Sequence, residues 1–499
     1  MSPTTRAEDA ARLEAALTDP VLADLVEMVL RRTGADTYRA AAVDGSVEFR
    51  RDSGGDRPTY RVVATSGRDP LADGSTRRFV GRVAECGASP PDRVANSYPH
   101  AHDSVAQFFD SPHAPDLVAT HTAAHFRDDH HGHHGSLAVV QARAPFIAAG
   151  TGVRADGMVD RSTRTVDIAP TVAALLGIAA HPDAVGPTGR RRADALLRRQ
   201  DGEVDHRLLT GEVAGHVVVL LLDGCNANLL LDAVATGEAP NIAALVERGT
   251  AYRRGALASL PTATLANHTT ALTGAHPGHT GVLHNTWVDR SDGTVPDLLD
   301  LGQMFHAMAH LSPEVETLFQ ALARSRPGAF SSAGFEFCDT GASFSTFALA
   351  RSGVLSELPP LVDVRHLDRA EAAESEMYGF ISRVDHLSVA HTIDCWEQRN
   401  GNPLPALSWC SLALTDEAGH ASGPHGAAAR AAVRDSDARV GEVLAAVERA
   451  GAHERTAVLV IADHGMEQCD PAVAGGWHDA LADTGVAHRE VGDGLIYLG

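Results

Sequence analysis

The sequence lacks closely spaced cysteine pairs and long apolar runs. These absences argue against a disulfide-rich protein, a thiolate metal site and a membrane-spanning protein. Its six cysteines are scattered without Cys-x-x-Cys spacing, which argues against a disulfide framework and against a thiolate metal knuckle. No apolar run has the length that a membrane-spanning helix needs. The charged start, MSPTTRAEDAARLEAAL, has the pattern of an amphipathic helix and lacks the apolar region of a signal peptide. We therefore expect a cytoplasmic protein with no membrane contact.

Positive charge is also in short supply. The 499 residues include 42 Lys and Arg against 64 Asp and Glu, which gives a formal net charge of -22. Such a surface repels phosphate backbones, so we expect no general nucleic-acid binding. An anionic small-molecule substrate would need a local source of positive charge. A chain of this length can form one large α/β domain that carries an inserted cap.

What the sequence does contain is a regular alternation of predicted strands and helices. Continuous apolar runs of strand length indicate strands that are covered on both faces. These runs lie at 137–150, 217–224, 407–420 and 456–465. Helical stretches lie between them, at 167–177, 241–249 and 427–451. The alternation predicts an α/β fold with a doubly wound, mostly parallel sheet flanked by helices.

Two regions interrupt this alternation. Residues 181–215 are polar, rich in Arg and punctuated by Gly and Pro, so we expect a surface connection there. Residues 287–400 lack a βαβ pattern, and we interpret them as a cap-like insertion over one end of the sheet. The remaining catalytic core would consist of residues 216–286 and 401–499.

Three predicted strands are followed by an aspartate: Asp223 in LLLDG, Asp416 in ALTDEAGH and Asp463 in VIADHG. The carboxyl ends of parallel strands meet at one edge of a sheet, so these acids can share one crevice. Taken alone, an aspartate after a strand commonly caps the next helix. Two of the acids, however, are followed by His420 and His464 at ligand-like spacing. Carboxylates and imidazoles without thiolates favour Zn²⁺, with Mn²⁺ or Mg²⁺ as alternatives.

The segment LPTATLANHTTALTGAHPGHTGVLHN, residues 260–285, is rich in threonine and histidine. A helix is predicted through LANHTTALTG, and hydroxyls near its start are ordinary helix caps when taken alone. Beside a metal site, a hydroxyl gains a second use, because a base or a metal can activate it as a nucleophile. Thr264 is the candidate nucleophile. The free N–H groups and the positive dipole end at a helix N-terminus favour an incoming phosphate.

These motifs occur in a definite order along the chain. They are Asp-Gly (223–224), the segment 261–285, Asp-Glu-Ala-Gly-His-x-x-Gly-Pro (416–424) and Ala-Asp-His-Gly-Met (462–466). The ordered set resembles the alkaline phosphatase superfamily, and more narrowly its type I phosphodiesterase/nucleotide pyrophosphatase branch. The match covers the motif-bearing parts of the chain, residues 216–285 and 405–468. The resemblance implies an alkaline-phosphatase-like fold and two divalent metal ions, with Zn²⁺ favoured over Mn²⁺ and Mg²⁺.

The resemblance also implies a role for each motif residue. Thr264 would be the nucleophile, and Asn285 would bind a non-bridging phosphate oxygen. Two metals about 3.5–4 Å apart can stabilise the attacking and leaving oxygens of an in-line displacement at phosphorus. The reaction would then pass through a phosphothreonine. One metal would be held by Asp223, Thr264, Asp463 and His464, and the other by Asp416, His420 and one further histidine.

That further histidine is missing from its usual place. In the family it lies well beyond the Asp-His-Gly-Met element and is followed by a strand and a helix with the pattern V-D-I-A-P-T. Only 33 residues follow Met466, and His478 lacks that sequel. The sequel lies instead in HHGSLAVVQARAPFIAAGTGV (133–153) and TVDIAPTVAALLGI (165–178), in the first half of the chain.

We therefore interpret the chain as circularly permuted relative to its relatives. Residues 1–180 would form what is usually the C-terminal third of the core, and residues 181–215 would join the old ends. Permutation is physically plausible because domain termini often lie close together on the surface. His134 would be the missing metal ligand.

His134 belongs to a histidine-rich tract that runs from His121 to His134. His131, which precedes Gly132, is the rival for the ligand role. We interpret three of the other four, His121, His125 and His130, as part of a solvated loop. Histidines of the 260–285 segment are interpreted as structural or pocket-lining; they are His268, His276, His279 and His284.

Together these features predict a metal-dependent phosphodiesterase or nucleotide pyrophosphatase that acts on a small phosphodiester, nucleotide or phosphonate substrate. A diester is favoured over a monoester because Asn285 is neutral and the motifs contain no Arg to match the extra charge. The alternatives within the superfamily are a phosphonate-ester or phosphonoacetate-type hydrolase and a phosphomonoesterase. The alternative of a different class is a non-catalytic protein that binds metal through its histidine-rich tract.

Overall fold

The computed structural model of the protein describes residues 3–82, 93–354, 377–492 and 494–499. Its strands are β1 Val26–Gly34, β2 Thr37–Ala42, β3 Gly45–Asp52, β4 Thr59–Gly67, β5 Leu117–His121, β6 His125–Phe126, β7 Gly132–His133, β8 Arg143–Ala144, β9 Phe146–Gly150, β10 Gly157–Val159, β11 Thr163–Arg164, β12 His216–Leu222, β13 Gly249–Tyr252, β14 Ala256–Leu257, β15 Ser331–Gly334, β16 Phe344–Ser345, β17 Leu407–Leu412, β18 Thr456–Ile461, β19 Glu467–Gln468, β20 Asp470–Ala474, β21 His488–Val491 and β22 Leu495–Leu498. Its α-helices are α1 Pro3–Leu17, α2 Ala101–Phe108, α3 Val139–Ala142, α4 Ile168–Leu175, α5 Ala227–Thr236, α6 Pro240–Arg248, α7 Thr264–Thr273, α8 Pro277–Thr280, α9 Leu301–Met304, α10 Leu318–Ser325, α11 Thr346–Arg351, α12 Tyr378–Trp396, α13 Leu414–Ser422, α14 Ala427–Arg449 and α15 His478–Asp483. Short 3-10 helices lie at Pro20–Leu22, Thr165–Asp167, Ala307–His310 and His453–Arg455.

Eight strands form the central sheet, in the order β10-β13-β9-β18-β12-β17-β15-β16. All neighbours in it are parallel except β9, which runs antiparallel to both β13 and β18. The apolar runs at 217–224, 407–420 and 456–465 supply its adjacent central strands β12, β17 and β18. The expected α/β fold with a mostly parallel sheet flanked by helices is confirmed.

Strand β12 illustrates why both faces of the central sheet are covered. Val217, Val219 and Leu221 pack on one face, in a core that includes residues of α4, α7 and α10. Val218 and Leu220 pack on the other face, with residues of α5, α6 and α14. Alternate side chains of a strand point to opposite faces, so a sheet between two helical layers requires an unbroken apolar run.

A second sheet of seven strands is antiparallel throughout, in the order β21-β22-β5-β1-β2-β3-β4. It joins strands from the two ends of the chain, because β22 pairs with β5 and β5 pairs with β1. Helices α1 and α15 cover one of its faces around Leu13 and Leu481. The other face packs against Leu265 and Leu283, next to Thr264 and near Asn285. This sheet therefore supports the segment that carries the predicted nucleophile.

The two regions that interrupt the predicted alternation also contribute to the packed core. Residues 181–215 contain no α-helix and no strand, yet their Leu197 and Leu208 side chains are buried beside the central sheet. Within residues 287–400, β15 and β16 extend the edge of the central sheet. Residues 355–376 of the predicted insertion lie outside the described residues.

Within the described ranges, no single helix is both long and apolar enough to cross a bilayer. Helices α5 and α6 meet the requirement only as a pair, with a bend of 92° between them.

Candidate active site

The three predicted acids lie at the edge of the central sheet where β12, β17 and β18 end. Asp223 follows β12 directly, and its backbone N–H donates to the carbonyl of Leu412, the last residue of β17 (2.8 Å). Asp463 follows β18 after one residue, and Asp416 lies in the first turn of α13 just beyond β17. Because the three strands are parallel neighbours, their carboxyl ends bring the acids to one place.

Gly224 allows the acids to approach each other closely. Its backbone has a φ of +60°, and a Cβ atom built on it would lie 2.1 Å from Asp416 Oδ1. Its N–H donates to Asp463 Oδ1 over 3.0 Å. A side chain at this position would therefore meet both backbone strain and a clash with an acid of the site.

Thr264 and Asn285 lie together at the start of α7. Thr264 is the first residue of the helix and is buried, with its Oγ1 atom 3.4 Å from His464 Nε2. Asn285 Oδ1 accepts a hydrogen bond from the backbone N–H of Leu265 (3.1 Å). This contact fixes the Asn285 amide beside Thr264 and leaves its Nδ2 group as a donor for a further partner.

Three imidazoles are oriented by hydrogen bonds to backbone carbonyls. The Nδ1–H groups donate from His134 to Thr262 (2.7 Å), from His420 to Gly132 (2.8 Å) and from His464 to Gly465 (2.9 Å). An Nδ1–H donor leaves the Nε2 atom of a neutral imidazole with its lone pair, which is the ligand atom for a metal.

The Nε2 atoms of His134 and His420 meet near Asp416. They lie 3.1 Å apart, and they are 3.7 and 3.4 Å from the Asp416 carboxylate oxygens. Two Nε2 lone pairs at this distance repel one another unless a cation or a proton lies between them. The imidazole rings of His134 and His464 stack with their centroids 3.8 Å apart, which links this group to the Thr264 side of the site.

A second group of ligand-type atoms surrounds Asp223 and Asp463. His464 Nε2 lies 3.1 Å from Asp463 Oδ2 and 3.8 Å from Asp223 Oδ1. The buried side chain of His268 approaches from the helix side, with its Nε2 atom 3.8 Å from Asp223 Oδ2. The ligand atoms of Asp223, His268 and Asp463 all lie within 4.8 Å of one another, as do those of His134, Asp416 and His464.

The buried acids place an excess of negative charge in this site. Burial, followed by the Asp463 and Asp416 carboxylates, raises the pKa of Asp223 well above its usual value. Burial also raises the pKa of Asp416, but the facing His420 imidazole and His134 more than offset it, so the net pKa is lowered. The pKa values move in opposite directions because Asp416 faces imidazoles and Asp223 faces carboxylates.

The hydrogen-bond pattern tests whether cations fit the site. Among the described residues, four buried ligand-type atoms in this site have no hydrogen-bond partner; they are Asp223 Oδ1, His268 Nε2, Asp416 Oδ1 and Asp463 Oδ2. Buried polar atoms are normally paired, so a cluster of unpaired ones indicates a missing partner. Carboxylate oxygens and imidazole nitrogens suit Zn²⁺ or Mn²⁺. The residues present therefore fit divalent cations.

The remaining histidines divide into those near this group and those away from it. His134, rather than His131, has its ring nitrogen facing Asp416, while the His131 ring contacts Phe126. His478 is exposed and contacts Glu490. Others pair with acids of different segments or contact the backbone; they are His276 with Asp103, His279 with Asp201 and Asp110, and His284 with the Thr286 N–H.

The interpretation of His121 and His125 as members of a solvated loop is wrong. Both side chains are buried, at 3% and 1% exposure, because His121 ends strand β5 and His125 begins strand β6 instead of lying in an exposed loop. His121 bonds to the backbone of Thr122 and His134, and His125 bonds to the carbonyl of Gly475. His130 lies closer to the surface, and its ring packs on the His420 ring with centroids 4.4 Å apart.

Sequence reasoning interpreted His268 only as structural or pocket-lining, and it gave Glu336 no place in the site. The signal for His268 is its spacing, because residues four apart on a helix share one face and Thr264 precedes it by four. Glu336 gave no comparable signal, since it follows β15 in the region interpreted as an insertion.

Known proteins resemble this chain at the level of family and of solved structure. The sequence model of the family described as type I phosphodiesterase / nucleotide pyrophosphatase matches residues 217–498, more than half of the chain. No curated protein matches significantly. Among solved structures, murine ectonucleotide pyrophosphatase / phosphodiesterase 5, in an inactive form in complex with AMP, is 17% identical, with a TM-score of 0.34 over 52% of this chain and 59% of that one. The human counterpart is 14% identical, with a TM-score of 0.33 over 51% of this chain and 58% of that one. The chain thus spans somewhat less than two thirds of these structures.

Proposed function

Because the chain belongs to the type I phosphodiesterase/nucleotide pyrophosphatase family, we propose that it hydrolyses phosphodiester or pyrophosphate bonds with Thr264 as the nucleophile. The observation that carries the proposal is the group of unpartnered buried ligand atoms close to the Thr264 hydroxyl. A hydroxyl in this setting can be activated as a nucleophile, and a charged phosphate group can be neutralised there.

Two divalent cations would be held by the two groups of ligand atoms. Their chemistry, when bound, is to make the Thr264 hydroxyl more acidic and to neutralise charge on the phosphate and the leaving oxygen. Zn²⁺ is the favoured ion because the ligands combine imidazoles with carboxylates. One cation would be held by Asp223, Thr264, Asp463 and His464, and the other by His134, Asp416 and His420.

The chain's own residues then bind, orient and attack the substrate. The N-terminus of α7 favours the phosphate, and the Thr264 oxygen attacks phosphorus opposite the leaving oxygen. The Asn285 Nδ2 group is free to donate to a non-bridging oxygen, because Asn285 Oδ1 is already bonded to the Leu265 N–H. As the Thr264 oxygen bonds to phosphorus its proton is released to solvent, the P–O bond to the leaving group breaks and the leaving oxygen takes up a proton from water. The product is a phosphothreonine that keeps the substrate's other substituent, and water later hydrolyses it and restores the Thr264 hydroxyl.

A diester or nucleotide pyrophosphate is the proposed substrate class. A phosphomonoester carries one more negative charge near its phosphorus than a diester does. Asn285 is neutral and supplies a hydrogen bond without the positive charge that an Arg would bring. We therefore propose that the site favours the less charged diester.

We further propose that the chain is circularly permuted relative to other family members. The family match begins at residue 217, whereas His134 lies 83 residues before that point and faces Asp416 and His420. The neighbouring strand β9 pairs with β18, the strand that leads into Asp463. Both facts support the proposal that residues 1–180 supply the part of the core that the C-terminal segment supplies in most family members.

The test compares two chromogenic substrates, bis-p-nitrophenyl phosphate and p-nitrophenyl phosphate. Purified protein is treated with a chelator, dialysed and assayed with and without added Zn²⁺. We expect no turnover after chelation, recovery with Zn²⁺, and faster cleavage of the diester than of the monoester. Faster cleavage of the monoester would reject the diester preference, and full turnover of the chelated protein would reject the metal-dependent mechanism.

A further inference from the structure

His268 is a buried histidine beside Asp223 and Asp463 that has no role in the mechanism proposed for Thr264. It lies on α7, one turn beyond Thr264, and its side chain is 1% exposed. Its Nδ1 atom contacts both oxygens of Glu336, at 2.9 Å from Oε2 and 3.2 Å from Oε1. The Nδ1–H group therefore donates to a carboxylate that is itself fully buried.

Glu336 is held in a single orientation by two further donors. The Ser411 hydroxyl donates to Oε2 over 2.6 Å, and the Cys338 N–H donates to Oε1 over 2.9 Å. A carboxylate fixed in this way sets both the ring orientation and the tautomer of the histidine that it binds. The Nε2 atom of His268 consequently points away from Glu336 and toward the acids of the site.

The Nε2 atom of His268 faces Asp223 Oδ2 at 3.8 Å and Asp463 Oδ2 at 3.9 Å. Both distances exceed the range of about 2.7–3.2 Å for an N–H···O hydrogen bond. They are shorter than about 4.0–4.4 Å, the largest separation of two atoms that each bind one Zn²⁺ at about 2.0–2.2 Å, so one ion can lie between the atoms. His268 Nε2 and Asp463 Oδ2 also lack hydrogen-bond partners among the described residues.

We propose that His268 is a protein ligand of the cation held by Asp223 and Asp463, with Glu336 as the positioning residue that orients it. The inference rests on the proposed function only in taking these two acids as part of a metal site. Helix α7 then supplies both the nucleophile and a ligand from one face, at positions 264 and 268.

The arrangement has a chemical consequence for the choice of metal. A carboxylate that accepts the Nδ1–H of a ligating histidine makes its Nε2 atom a stronger donor. A further imidazole also makes the ligand set richer in nitrogen, which favours Zn²⁺ over Mg²⁺. The Glu336–His268 pair thus biases the Thr264 side of the site toward Zn²⁺.

Metal binding by variants of the whole chain with single substitutions tests the role of His268 independently of catalytic turnover. His268→Ala and Glu336→Gln are compared with wild type after chelation, by equilibrium dialysis against Zn²⁺ and by the visible spectrum of the Co²⁺-loaded protein. His279→Ala is the matched control, because His279 is also buried in the 260–285 segment and also binds a carboxylate, Asp201, over 2.6 Å.

We expect wild type and His279→Ala to bind two Zn²⁺ per chain, and His268→Ala to lose tight binding of one. Glu336→Gln should retain two sites and weaken one of them by about 10- to 100-fold, with a changed Co²⁺ spectrum. If His268→Ala does not fold, the affinity and spectrum of Glu336→Gln decide.

Two results separate this inference from the function on which it rests. Wild type with two Zn²⁺ ions, together with unchanged affinity and Co²⁺ spectrum in both variants, overturns the role of His268 alone. A wild-type chain that binds no Zn²⁺ overturns the metal site and His268 with it.

Discussion

At the residue scale, hydrogen bonds on the far side of each ring decide which histidine atom reaches the site. His134, His420 and His464 use Nδ1 to bind backbone carbonyls, and His268 uses Nδ1 to bind Glu336. In every case Nε2 is the atom that remains for the acids. The sequence therefore predicts which residue types surround the site, but the fold determines that Nε2, and not Nδ1, faces the acids.

Gly224 provides a prediction at this scale. We expect Gly224→Ala to weaken Zn²⁺ binding by more than about 10-fold, because the new methyl group would displace the Asp416 carboxylate, 2.1 Å away. The measurement is Zn²⁺ affinity by equilibrium dialysis, with folding checked by circular dichroism.

Gly237→Ala is the control, since Gly237 also has a positive φ, of +81°, but a methyl group added there would have open space within 4 Å. It should lower the free energy of unfolding by about 1–2 kcal/mol and leave Zn²⁺ affinity unchanged. Equal Zn²⁺ affinities in both variants would show that Gly224 has no role in spacing the acids.

The residues of the site were predictable to different degrees. Asp223, Asp416 and Asp463 follow apolar strands, so their convergence follows from the rule for parallel sheets. His268 was interpreted only as structural or pocket-lining, because its partner Glu336 is 68 residues away in sequence. A helix-face argument places it beside Thr264 but does not reveal the acids that it faces.

At the element scale, the start of α13 controls the position of Asp416. Asp385, on α12, accepts hydrogen bonds from the N–H groups of Ala413 (2.7 Å) and Leu414 (3.2 Å). These groups lie at the helix N-terminus, where the backbone has no partner of its own. Asp385 therefore caps the helix whose first turn carries Asp416.

We expect Asp385→Ala to lower the free energy of unfolding by about 1–2 kcal/mol, as the loss of a helix cap does. It should also weaken Zn²⁺ binding, because Asp416 follows the cap by two residues. Urea denaturation and equilibrium dialysis measure the two effects, and Asp385→Asn is the control that keeps one acceptor oxygen.

The same residue gives a pH dependence with a definite sign. Burial raises the pKa of Asp385 to about 8, well above the value of about 3.9 expected in the unfolded chain. The folded state then retains a proton that the unfolded state releases. The protonated Asp385 carboxyl group therefore stabilises the folded state fully below pH ~4, and this stabilisation is lost as the pH rises toward 8. The free energy of unfolding of wild type should fall over this window relative to Asp385→Asn. Parallel pH profiles of the free energy of unfolding for the two proteins would contradict this predicted pH dependence.

The elements were predicted best where one pattern decides the structure. The apolar runs that became β12, β17 and β18 are covered on both faces, so their sequence leaves little choice. The seven-stranded antiparallel sheet was not predicted, because β4 is largely exposed and β5 pairs with β22 from the other end of the chain. Pairing between distant segments depends on tertiary packing, which local patterns do not encode.

At the scale of the whole molecule, the site combines segments from both halves of the chain. His134 comes from the first third, Thr264 from the middle, and Asp416 and His464 from the last fifth. The antiparallel sheet ties the ends together and packs beside Leu265 and Leu283. The integrity of the site therefore depends on the complete fold rather than on one local motif.

At this scale, we predict which part of the chain supplies the last histidine ligand. We expect His134→Ala to lose tight binding of one Zn²⁺, because its Nε2 atom faces Asp416 and His420. His478→Ala should bind two Zn²⁺ ions like wild type, because the His478 side chain is 80% exposed and contacts Glu490. Elemental analysis of the dialysed proteins gives the result, and the reverse pattern would remove the basis for a circular permutation.

The central claim is that the Thr264 hydroxyl is the nucleophile beside two cations. Thr264→Ala tests it most directly when hydrolysis of bis-p-nitrophenyl phosphate and Zn²⁺ content are measured on one preparation. Thr270→Ala is the control, because Thr270 lies on the same helix and its hydroxyl donates to the Ala266 carbonyl (2.8 Å). We predict that Thr264→Ala retains bound Zn²⁺, because Asp223, Asp463 and His464 remain to hold it, but loses turnover by on the order of 10³-fold or more, while the control stays within about threefold of wild type. Turnover by Thr264→Ala at the wild-type rate would contradict the account.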